Sequence, residues 1–204
     1  GDDAITINGS GSKTIDGGSG TDSLTISVSG NSSLGSYTIT KSNDYLVLTD
    51  TNNNVIQFKN TESLTVGSYA YTEDTSKKNF WNGTEGVLYL YDGGTWSGID
   101  ILSTHVGFSA SRDLTVIGDN AANSMGFSID RSNALTGKLI LSMGDGSDII
   151  GAARLKNGDS IDLGAGDDEF SLNVSNSLGT PSYASLVLDK LDCGSGSDWL
   201  NYSS

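Results

Sequence analysis

The residues of this chain best placed to do chemistry are glycines and aspartates at fixed spacing. Four segments fit one template, x-G-x-G-x-D-x-U-x, with U a large apolar residue. Gly144, Gly146, Asp148 and Ile150 fill it in MGDGSDIIG, and Gly164, Gly166, Asp168 and Phe170 fill it in LGAGDDEFS. Gly18, Gly20, Asp22 and Leu24 fill it in GGSGTDSLT, and Gly194, Gly196, Asp198 and Leu200 in CGSGSDWLN. Alternate glycines permit positive φ and a sharp turn. Such a turn directs successive carbonyl oxygens inward, and the Asp that closes it adds a charged oxygen. Calcium, a hard cation, takes about six to eight oxygen ligands. The x-U-x that follows is a short strand with one side chain facing a core. A single repeat cannot bury that side chain, so repeats must stack.

This nonapeptide resembles the calcium-binding repeat of the RTX proteins of bacteria, a family that includes surface-layer and adhesin-like secreted proteins. The resemblance implies an all-β fold: a parallel β-roll in which two nonapeptides make one coil, here with inserted β-hairpin and strand modules. Turns i and i+2 then share an edge and hold Ca²⁺ between them. In the family, one turn supplies the carbonyls of template positions two and four plus its Asp. The turn stacked on it supplies the carbonyls of positions one and three plus its own Asp. Carried over, one site is Gly144, Gly146, Asp148, Leu163, Ala165 and Asp168, and the next is Gly164, Gly166, Asp168, Cys193, Ser195 and Asp198. An N-terminal site would use Gly1, Asp3, Gly17, Ser19 and Asp22.

These turns need strands to carry them. Asp3, Lys13 and Asp22 share one template position, so Asp3 and Asp22 are expected on one edge and Lys13 on the other. There the Lys13 ammonium would take the place of a cation. Tyr37–Thr40, Tyr45–Thr49 and Val55–Phe58 read as strands, the last two joined by an Asn-rich turn at 50–54. Residues 73–86 read as a polar loop, and Val87–Tyr91 as a strand. In the phrase from Leu114 to Met125, Asn123 takes the Asp position, which predicts a neutral turn without calcium. If the segment 172–188 leaves the coil phase unchanged, Asp148, Asp168 and Asp198 form one column and Asp159 and Asp189 the other. Ions are expected in the first column, and none or one weakly held in the second. A short helix near 131–135 is conceivable but not required. Three regions follow: N-terminal β-roll turns at 1–35, an irregular β module with hairpins at 36–112, and a C-terminal β-roll with calcium turns at 113–204. The phase of the repeats at both ends predicts a longer repetitive chain.

Composition bounds the function. Among 204 residues, 11 Lys and Arg face 25 Asp and Glu, for a net charge of −14. Nucleic acid is therefore not an expected partner, because phosphate binding needs a basic face, whereas multivalent cations would relieve the repulsion. No run of 18 apolar residues marks a membrane span. The lone cysteine, Cys193, sits where Met143 and Leu163 stand in other copies and reads as apolar filler. A single histidine, His105, with no H-E-x-x-H or G-x-S-x-G motif, gives no basis for catalysis. The pair Asp168 and Glu169 would point to opposite faces of a strand, unlike the facing carboxylates of a glycosidase. The expected function is thus a structural, non-enzymatic calcium-binding segment of a secreted or cell-surface bacterial protein, surface-layer or adhesin-like. Its expected partners are calcium and either copies of itself or a cell-surface polysaccharide. A non-catalytic part of a secreted enzyme, or a sugar-binding module, is the alternative.

Overall fold

The computed structural model describes residues 1–97, 111–126, 137–153, 155–173 and 188–203. The described residues form an all-β structure without an α-helix. Strands numbered along the chain make three sheets. The largest runs in the order β1 (Ala4–Asn8), β3 (Ser23–Ser27), β7 (Ser63–Val66), β8 (Tyr69–Asp74), β9 (Asn79–Asn82), β10 (Val87–Leu90), β12 (Leu114–Ile117), β14 (Leu139–Ser142), β16 (Ser160–Asp162) and β18 (Lys190–Asp192). A second sheet orders β2 (Lys13–Asp16), β6 (Val55–Lys59), β5 (Tyr45–Asp50) and β4 (Tyr37–Ser42). The third orders β11 (Thr95–Ser97), β13 (Ser124–Gly126), β15 (Ile149–Ala153), β17 (Glu169–Asn173) and β19 (Trp199–Ser203).

From β10 onward the chain alternates between the first and third sheets at every strand. Each strand therefore pairs in parallel with the one two places on: β12 with β14 and β14 with β16, and β13 with β15 and β15 with β17. The apolar U residues carry the stack. Met125, Ile150 and Phe170 are in register across the third sheet, and each is buried. Leu114 and Val116 lie over Leu139 and Leu141 in the first. Each such side chain contributes on the order of 1.5–3 kcal/mol by leaving water. Sequence-local pairing cannot supply that burial.

The N-terminal end follows the same rule with a hairpin added. β1, β3 and β7 are parallel in the first sheet, and β2 pairs in parallel with β6 in the second. β4 and β5 are inserted as an antiparallel hairpin leading into β6. The turn between β5 and β6 holds Asn53 at φ 61, the left-handed geometry expected of that Asn-rich stretch. Asp50 fastens it by accepting the backbone N–H groups of Asn52 and Asn54, each at 2.8 Å.

Residues 73–86 are not the expected loop. β8 runs on to Asp74, and β9 is buried along its whole length. Polarity misled because Asn79 and Asn82, each 3% exposed, have their needs met locally. Asn82 Oδ1 accepts the Glu85 N–H at 2.8 Å, and Asn79 Nδ2 reaches the Thr95 carbonyl at 3.4 Å. Here β7, β8, β9 and β10 pair antiparallel at three successive steps. Strands of the first sheet therefore run in opposite directions on its two sides. The core changes face at the same place. Phe80, Tyr89 and Tyr91 belong to the core beneath β1–β7, whereas Trp81, Leu88 and Leu90 belong to the core beneath β12–β16.

Candidate cation-binding turns

Where β14 passes to β15, β16 to β17 and β18 to β19, the chain makes a glycine turn, and these turns stack. The stacking explains the glycines. A Cβ added at Gly164 would lie 1.5 Å from the Gly144 carbonyl oxygen, and one at Gly194 would lie 1.4 Å from that of Gly164. The turns are stitched by backbone bonds. Gly146 N–H donates to the Ala165 carbonyl at 2.7 Å and Ala165 N–H to that of Gly144 at 3.1 Å. Gly166 N–H and Ser195 N–H repeat the pattern one level on, to the Ser195 and Gly164 carbonyls. Four of the carbonyls expected as ligands, those of Gly144, Ala165, Gly164 and Ser195, thus already accept one hydrogen bond each. A carbonyl has two lone pairs, so each retains one for a cation.

The aspartates stack as well. Asn123 N–H donates to Asp148 Oδ1 at 2.7 Å, Asp148 N–H to Asp168 Oδ1 at 2.8 Å, and Asp168 N–H to Asp198 Oδ1 at 3.2 Å. One oxygen of each carboxylate is therefore spent on the coil before it. The other is not. Asp148 Oδ2 and Asp168 Oδ2 are buried with no hydrogen-bond partner, and the two residues are 0% and 2% exposed. Burial drives the Asp148 pKa up to about 7, with the Asp168 charge adding to the rise and the Asn123 N–H opposing it. Burial also raises that of Asp168, helped by the charges of Asp198 and Asp167. A buried carboxylate oxygen without a partner is costly. A proton or a cation removes that cost, and the column's carboxylates and turn carbonyls are the kind of oxygen donor a hard cation requires. The residues of this column therefore fit a calcium ion. Among the described residues no three of His, Cys, Asp and Glu cluster as a metal site, so carbonyls must complete any ligand set.

On the opposite edge the same positions are filled by protein groups. Asp159 accepts the Leu139 N–H through Oδ1 and the Lys156 N–H through Oδ2, at 2.8 and 2.7 Å. Asp189 Oδ2 is paired with the Lys138 ammonium at 2.7 Å. Lys13 is the clearest case: its Nζ donates to the Ser10 and Gly11 carbonyls at 3.1 and 3.2 Å. An ammonium thus sits on the carbonyls of a turn whose Asp position it occupies. Asn123 closes its own turn, Nδ2 donating to Asp119 Oδ1 at 2.9 Å and to the Ala121 carbonyl.

At the N-terminal end, Asp3 N–H donates to Asp22 Oδ1 at 2.7 Å, extending the ladder pattern, while the Gly1 ammonium takes the Ser19 carbonyl at 2.6 Å. Asp22 N–H in turn donates to Glu62 Oε2 at 2.7 Å. Glu62 was not among the expected site residues. A signal existed: Asp22-Ser23-Leu24-Thr25-Ile26 returns as Glu62-Ser63-Leu64-Thr65-Val66, and the two pair in register. Cys193 is half-buried against the core, and burial raises its thiol pKa. Beside Asp168, Asp167 Oδ1 accepts the Ser197 N–H and Glu169 Oε1 the Asn201 amide. His105 and residues 131–135 lie outside the described residues. No known family model, curated protein or solved structure matches this chain.

Proposed function

We propose that this chain is a calcium-dependent structural segment, a parallel β-roll of RTX type with inserted hairpins, from a secreted or cell-surface bacterial protein. The observation that carries the reading is the pair of buried, unpartnered oxygens, Asp148 Oδ2 and Asp168 Oδ2, in a column of stacked glycine turns. Calcium would join successive turns along one edge, supplying the positive charge that Lys13 supplies on the other. Its role is to hold coils together where calcium is plentiful, and so to couple folding to export. Surface-layer or adhesin-like assembly is the favoured setting, with further copies as partners.

The test is a calcium titration of the purified chain followed by circular dichroism and calorimetry. The expected result is a cooperative melt that rises with calcium and falls back with EGTA, and loses that response in Asp168→Asn. A melt indifferent to calcium and EGTA would overturn the reading. One observation favours a sugar-binding role instead: Trp199 is 67% exposed, its Nε1–H held at 2.8 Å by Asn201 Oδ1 beside Glu169. Glycan binding abolished by Trp199→Ala would establish it.

A further inference from the structure

We infer that Asp22, which closes a glycine turn, forms a binding site for a hard divalent cation with Asn60, Thr61 and Glu62 of a connection that has no glycine. β2 and β3 are joined by the glycine turn 17–22, but β6 and β7 are joined by Asn60-Thr61-Glu62 alone, with no glycine. This short connection docks on the longer one. The N–H groups of Glu62 and Ser63 donate to the Asp22 carbonyl at 3.0 and 3.2 Å, and Asp22 N–H donates to Glu62 Oε2.

Two oxygens converge beside Gly17. A Cβ placed there would lie 2.0 Å from the Asn60 carbonyl oxygen and 2.9 Å from Asp22 Oδ2. Both oxygens are therefore within reach of one ion with Ca–O distances of about 2.3–2.6 Å. Asp22 is 1% exposed, and its Oδ2 has no hydrogen-bond partner. Thr61 is 6% exposed, and its hydroxyl is also unpartnered. Two buried polar groups left unsatisfied, one on each of two docked connections, are unusual for a folded chain. Asn60 is fixed in a left-handed conformation, φ 53, and its Nδ2 is tied to Asp16 Oδ1 at 2.7 Å, which steadies the carbonyl.

Access is provided. Asn60, Thr61 and Glu62 line a cleft of about 270 Å³ that also includes Lys59 and Glu73. The three ammonium groups of that cleft are engaged elsewhere: Lys59 Nζ is paired with Asp16 at 3.2 Å and lies 4.9 Å from the Tyr45 ring centre, and Lys41 and Lys78 are paired with Asp92 at 3.3 and 3.0 Å. Two carboxylates, a carbonyl and a hydroxyl leave the remaining positions to water from the cleft. Calcium suits such an irregular, partly hydrated oxygen set better than magnesium, which demands a near-ideal octahedron. None of these residues belongs to the Asp148–Asp168 column, so this site stands or falls separately from the proposed function.

Titration calorimetry and native mass spectrometry of the full chain with Ca²⁺ test it, using Glu62→Gln, Thr61→Val and Asp168→Asn. Glu62→Gln keeps an oxygen acceptor for Asp22 N–H, so circular dichroism should show an intact fold. The expected result is that Glu62→Gln and Thr61→Val each weaken one bound ion at least tenfold. Ions lost in Asp168→Asn should be unaffected. Unchanged stoichiometry and affinity in Glu62→Gln overturns the inference, even if Asp168→Asn shows that the glycine turns bind calcium. A wild-type chain that binds no calcium overturns both readings. Loss confined to Glu62→Gln sustains this one and removes the other.

Discussion

The backbone N–H of Asp148 donates to Oδ1 of Asp168, one coil on, at 2.8 Å, leaving Oδ2 of both carboxylates buried and unpartnered. One side chain thus serves two neighbours: an amide on one side and, by the proposal, a cation on the other. Asp168→Asn separates these duties. The amide oxygen keeps the Asp148 contact but removes the buried charge. Thermal melts in EGTA should leave the variant as stable as wild type or more so, while added calcium should stabilise it less. Asp168→Ala removes the acceptor too and should cost about 1–3 kcal/mol in either condition.

Glycine variants should sort by what their side chains would meet. At Gly164, φ is +94 and a Cβ would overlap the Gly144 carbonyl, so Gly164→Ala should destabilise by roughly 3 kcal/mol or more. Gly9 also has positive φ, +96, but nothing lies within 4 Å. Gly9→Ala should therefore cost only the conformational term, about 1–2 kcal/mol. Urea midpoints of the two variants check this order.

Lys13 offers a test of charge substitution. Lys13→Met removes an ammonium from two carbonyls and should lose about 1 kcal/mol, measurable by urea denaturation. Lys13→Asp should be worse in EGTA. If the turn can accept calcium, part of that loss should return on calcium addition, making a calcium-dependent melt where wild type has none at this edge.

Glu73 sets an expected pH dependence apart from the calcium turns. Burial raises its pKa above 4.5, with the Glu62 charge adding and the hydrogen bond from Tyr91 Oη opposing. The folded state thus holds this proton more tightly than the unfolded chain does. The associated stability is complete below pH 4.5 and is lost as pH rises through the folded value. Denaturation midpoints across that window should fall less in Glu73→Gln than in wild type.

How much of this could be read from sequence depended on range. Glycine positions in the turns are dictated locally, so Gly144 and Gly164 announced their stack, and the alternation at Tyr45–Thr49 announced a strand. The Asp148–Asp168–Asp198 column followed from phase alone. β9 was hidden because Asn79 and Asn82 look like loop residues until Thr95 and Glu85 are brought beside them. Glu62 was hidden because its three-residue connection lacks the glycines that mark the other turns.

The junction at β8–β10 has a consequence for winding. An odd number of antiparallel steps reverses strand direction, and at the same strands the core moves to the other face of the sheet. Either change alone would invert the hand of the coil, and parallel crossovers are right-handed in about 98% of cases. Together they cancel. The hairpins let the chain turn its strands around and move its interior across the sheet while both blocks keep one screw sense.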